Sequence, residues 1–86
     1  LTLDQHLAKG YDYFVHGKSK DRSKPIWTPD VFGAALRADE AMQTQARARL
    51  NALSAMLRLR GDTTQFVAKT QARVLTEGLA KAREES

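Results

Sequence analysis

The chain has no cysteine. Disulfides, thiolate-held metals and a cysteine nucleophile are therefore excluded. Two prolines and five glycines occur in 86 residues, so breaks in regular structure should be few and their positions informative. No apolar run approaches the ~20 residues that span a bilayer, and no secretory signal pattern is visible. The histidines are His6 and His16 alone. Asp12 and His16, one helical step apart, are two possible metal ligands, but two ligands do not complete a site. The pair is read as a surface contact that slightly favours a helix. No serine has a nucleophile's surroundings, Asp39 and Glu77 stand apart rather than as a carboxylate pair, and there is no glycine-rich phosphate loop. No catalytic residue, cofactor or metal is expected, and the chain is not expected to be an enzyme.

What is present is charge of one sign and helix-forming residues. Lysine and arginine number 14 against 10 aspartates and glutamates, a formal charge of +4 with pI ≈ 9.8. Nucleic acid, acidic protein surfaces and anionic membranes are all permitted as partners by that balance. The length suits one small domain over residues 1–86, which buries a modest core and gains from regular helix packing or a partner. A start at Leu1 rather than methionine suggests a processed, trimmed or partial product. A cytoplasmic location is expected.

The stretch 28–60 dominates. Thr28 can cap a helix start, Pro29 suits the first helical position, and Asp30 meets the positive end of the helix dipole. Arg58, Arg60 and then Gly61 form a stop. Good helix formers fill the interval, with only Gly33 against them. The spacing predicts one unbroken helix, on the order of 50 Å long at ~1.5 Å per residue. Phe32, Ala35, Met42, Ala46, Leu50, Leu53 and Leu57 form its apolar stripe, interrupted by Asp39. Ala34, Ala41, Ala48 and Ala55 repeat every seven residues on roughly the opposite face, where small side chains let another helix approach. Arg49 and Arg60 flank the main stripe on one side, Arg47 and Arg58 on the other.

Two helices should flank this one. Thr2 and Gln5 match a capping box, and Leu3, Leu7, Tyr11 and Phe14 recur at helical spacing, predicting a helix over 3–16. Tyr11, Tyr13 and Phe14 are expected to plug one end of the bundle, and Trp27 to anchor the start of the long helix. Residues 17–27 read as a polar, basic loop whose Lys18, Lys20, Arg22 and Lys24 could meet phosphates. After a turn at 61–63, where Arg60-Gly61-Asp62 is better explained by the reversal than as a recognition triplet, a helix over 63–83 is predicted. It should run antiparallel to the long one and turn Val67, Ala68, Gln71, Val74, Leu75, Gly78 and Leu79 inward. Lys69, Arg73, Glu77, Lys81 and Glu85 form its solvated row, with Glu77 and Lys81 as a pair.

The expected class is therefore all-α, an elongated three-helix arrangement ending in a helical hairpin. A long helix, a tight turn and a shorter helix over Thr28–Arg83 are similar in layout to small co-chaperones of bacterial secretion systems and to hairpins inserted in envelope proteins. No motif carries that likeness. The expected function is a non-enzymatic protein–protein interaction module (adaptor, small chaperone or assembly subunit) that contacts another protein or itself through Ala34, Ala41, Ala48, Ala55, Arg47 and Arg58. Nucleic-acid binding through Lys18, Lys20, Arg22 and Lys24 is the alternative. A peripheral membrane helix over 3–16 is disfavoured because its polar face carries few cations.

Overall fold

The computed structural model describes residues 1–16, 27–59 and 65–84. They form four packed helices: α1 (Leu3–His16), α2 (Pro29–Ala38), α3 (Glu40–Leu59) and α4 (Gln65–Glu84). The starts are capped as their sequences require. Thr2 N–H donates to Gln5 Oε1 at 2.7 Å, and Gln5 N–H donates to Thr2 Oγ1 at 3.2 Å. This is the reciprocal box that satisfies two otherwise orphaned donors. Thr28 Oγ1 accepts from Val31 N–H at 3.2 Å, with Pro29 in the first helical position.

The single long helix expected over 28–60 is not formed. It breaks at Asp39, whose φ of −136° and ψ of 97° are extended. Asp39 N–H closes α2 on the Leu36 carbonyl at 3.3 Å, and its own carbonyl receives Gln43 N–H at 3.0 Å. Its side-chain Oδ1 accepts from Met42 N–H at 3.1 Å. Aspartate is a weak residue inside a helix and a strong one at its N-cap. Glu40 then falls in the first turn of α3, where the dipole favours it. The interruption in the apolar stripe is thus the junction between two helices.

The break replaces the elongated three-helix arrangement with a folded-back one of four helices. The Cα radius of gyration is 13.0 Å and the principal extents are 37 × 31 × 20 Å. Typical compact chains of this length have a radius of ~12 Å. The centre also moves. α4 touches each of the other three helices, and its contact with α2 is the most extensive. Gln65 Nε2 donates to the Leu57 carbonyl at 3.3 Å and joins the facing ends of α3 and α4.

Phe32 and Leu36 of α2 and Val74 and Leu75 of α4 are fully buried. Around them lie Leu3 and Leu7 of α1, Trp27, Ala46 and Leu53 of α3, and Ala82. Close approach of α2 and α4 depends on glycine. A Cβ on Gly78 would clash with the Phe32 ring, 2.7 Å from Cε2, and a Cβ on Gly33 would sit 2.6 Å from Lys81 Cβ. The inner face of α1 is Leu3, His6, Leu7 and Gly10, rather than the line Leu3, Leu7, Tyr11, Phe14. On α4, Val74, Leu75 and Gly78 are inward as expected, joined by Thr70 and Ala82, but Val67 is 47% exposed. The hydroxyl of buried Thr70 is satisfied by the Phe66 carbonyl at 2.9 Å. The expected Glu77–Lys81 pair is not made: Glu77 meets Arg73 at 3.6 Å, while Lys81 Nζ reaches Asp30 at 3.6 Å and Glu84 at 3.4 Å.

Candidate interaction surface

α3 is an outer helix. Ala46 and Leu53 are the buried residues among its described side chains, whereas Ala41, Ala48, Ala52 and Ala55 are exposed. Ala41, Ala48 and Ala55 are seven residues apart, about two turns, and so line one face. Met56, 44% exposed, lies on the same helix. Ala34 is also exposed but belongs to α2, and the break at Asp39 separates it from the other three. Of the four alanines expected in one row, three therefore lie on α3, with exposed Ala52 beside them. Ala48 and Ala52 form one wall of a shallow groove of ≈ 450 Å³ whose other wall is the start of α1, with Thr2, Leu3 and Asp4. Arg49 Nη2 meets Asp4 Oδ1 across it at 3.3 Å. Both partners are largely exposed, and such a pair contributes little to stability.

Arg47 and Arg58 are exposed and share one edge of α3, three turns apart. Arg47 faces a second groove, of ≈ 470 Å³, together with Arg37 of α2 and Arg83 of α4. That meeting of three arginines was not legible beforehand, because the pattern of α3 alone says nothing of Arg37 or Arg83. Lys18, Lys20, Arg22 and Lys24, like Arg60 and the turn at 61–63, lie outside the described residues.

The aromatic cluster sits at one end, with Trp27 at its middle. Ring centroids lie 5.5 Å from Trp27 to Tyr13, 6.0 Å to Phe14 and 6.0 Å to Phe32. Trp27 is thus a packing anchor, and Arg73 covers the outer side of Phe14 at 4.1 Å. Tyr11 makes an edge contact with Phe66, at 6.4 Å. Phe66 is 56% exposed.

His6 is the buried group that sequence reasoning passed over. It is 3% exposed, stacked on Phe32 with centroids 4.8 Å apart, and its Nδ1 has no hydrogen-bond partner among the described residues. The i, i+3, i+4, i+7 spacing of Leu3, His6, Leu7 and Gly10 was the available signal. Burial pushes its pKa below the usual 6.5, and the positive charges of the Leu1 amino group and Lys9 push the same way. The neutral form is therefore favoured in the folded state. Stability from this site is complete above the unfolded-state pKa of about 6.5 and falls as pH drops below it toward the lowered folded value. Urea melts at pH 7.5 and pH 5.5 should show the loss at the lower pH, and His6→Phe should flatten that difference. An equal pH response in both proteins would mean that other groups cause it. Lys81 shifts the opposite way: its pKa is raised by Asp30 first and Glu84 second.

Among the described residues, no three or more His, Asp or Glu stand together as metal ligands, and no helix is long and apolar enough to cross a membrane. The described residues define an all-α protein of four packed helices. No protein-family model, curated protein or solved structure matches the chain.

Proposed function

We propose that the chain is a non-enzymatic module for protein–protein interaction, an adaptor, small chaperone or subunit of a larger assembly, whose contact face is the outer side of α3. One observation carries this reading. α3 is 20 residues long, yet of its described side chains only Ala46 and Leu53 are fully buried, with Met42 and Leu50 packed partly against the core, and its alanine face stays open. Exposed small residues at a seven-residue period offer a helix partner close approach at small entropic cost. Ala48→Glu should leave folding stability within about ±0.5 kcal/mol, as for an ordinary surface change. It should abolish self-association or retention of a co-purifying protein, read by sedimentation or light scattering. Unchanged assembly in a folded Ala48→Glu protein would sink the assignment of this face.

The arginine-lined groove supports keeping the alternative of nucleic-acid binding, with Lys18, Lys20, Arg22 and Lys24 adding charge. Retention on heparin or DNA that collapses between low and moderate salt would favour it.

A further inference from the structure

The second groove carries an inference about the partner. Its walls come from three helices: Arg37 from the last turn of α2, Glu40 and Arg47 from α3, and Arg83 from the last turn of α4. Leu50 and Leu79, both half-buried against the core, and buried Ala82 give it an apolar floor. Three arginines and one glutamate thus line a groove that also holds this strip of hydrocarbon. Arg37 and Arg83 also complement the negative ends of their own helices, but Arg47, exposed in the middle of α3, has no such role. Arg37 and Arg83 hold contacts within the fold as well. A guanidinium has five N–H donors in a planar fork, more than a single carboxylate takes up.

We propose that this groove docks an acidic amphipathic helix of another protein, with apolar side chains on Leu50 and Leu79 and carboxylates on Arg37, Arg47 and Arg83. The inference rests on the reading of the chain as an interaction module and names the chemistry of its partner. An apolar floor with a charged rim is the form that receives a helix laid in a groove. A second copy is the poorer match for this groove. The chain carries +4 overall. Its Asp4, Asp30, Glu77 and Glu84 are already engaged by Arg49, Lys81 and Arg73, and Asp39 caps α3. These are five of the ten carboxylates in the chain, so a second copy matches an arginine-rimmed groove less well than an acidic helix does. A nucleic acid would match the arginines but leave Leu50 and Leu79 without an apolar counterpart.

The test is fluorescence anisotropy with the full chain and three labelled probes. These are a synthetic helical peptide with a leucine stripe flanked by glutamates, the same peptide with lysines in place of glutamates, and a single-stranded oligonucleotide of equal charge to the first. The acidic peptide should bind, more weakly as salt rises, and the lysine peptide should not. Arg47→Glu should weaken the acidic peptide about tenfold or more, and Arg47→Ala by less, in the same direction. No binding of the acidic peptide, equal binding by parent and Arg47→Glu, or tighter Arg47-dependent binding of the oligonucleotide would each overturn the proposal. If assembly is lost in Ala48→Glu while the parent ignores the acidic peptide, the interaction module stands and this groove's role falls.

Discussion

Phe32→Ala should cost about 3–5 kcal/mol, the range for removing a buried phenylalanine. Domains are stable by only about 5–15 kcal/mol, and one of this size buries too little surface to lie high in that range. The substitution should therefore remove most of the folding free energy, and urea unfolding followed by far-UV circular dichroism should show an early or absent transition. The reason is where the ring sits. It is fully buried, stacked on His6 of α1 at 4.8 Å, 6.0 Å from Trp27, and seated in the space that Gly78 of α4 leaves open. One side chain thus holds α1, α2 and α4 together. Gly78→Ala should recover part of the loss in the Phe32→Ala background, because its methyl would enter the vacated space, while destabilising the parent. Additive effects of the two changes would show that they do not share that space.

Gly33→Ala tests helix packing against helix propensity, which predict opposite signs. Alanine inside a helix is favoured over glycine by about 1 kcal/mol. The new Cβ, however, would lie 2.6 Å from Lys81 Cβ, 2.9 Å from the Ala82 nitrogen and 3.1 Å from the Lys81 carbonyl carbon. Two of these are backbone atoms, and they cannot retreat by a rotamer change. α4 would have to move away, loosening Val74, Leu75 and Ala82, all buried on the same helix. Overpacking of this kind costs about 1–3 kcal/mol, occasionally more. A net loss of about 1 kcal/mol or more should lower the melting temperature by at least about 4 °C in a domain of this length. A raised melting temperature would mean that α2 and α4 are not in backbone contact at Gly33.

Much of the local structure was legible. The Thr2/Gln5 box and the Thr28-Pro29 start form as their residue types dictate, since a cap needs only partners within three residues. Phe32, Ala46 and Leu53 of the apolar stripe are core residues. Leu36, fully buried, was missed because a stripe drawn across one continuous helix takes the wrong phase on either side of Asp39. His6 was missed for a related reason: the aromatics at Tyr11 and Phe14 drew the inner line of α1 away from His6 and Gly10. The alanine repeat was visible in outline, but its expected extension to Ala34 is not formed, again because of the break. Nothing local could reveal that Arg37, Arg47 and Arg83 share a groove.

The sequence by itself determined that the chain is helical, where α1 and α2 begin, and which residues are apolar on each turn. Those properties depend on hydrogen bonds and side-chain preferences within about four residues. Tertiary structure alone decided that Asp39 is a junction rather than a flaw in a longer helix. A continuous helix and a capped break both satisfy the local backbone, and the choice turns on whether Phe32 and Leu36 can reach α4 while Ala46 and Leu53 do so as well. It also decided that α4, not the 28–60 stretch, is the centre, through two glycines whose missing Cβ atoms admit Phe32 and the backbone of Lys81. Such contacts join residues 46 to 49 positions apart in the chain, and their energy lies in close packing of surfaces that exist only once the helices meet.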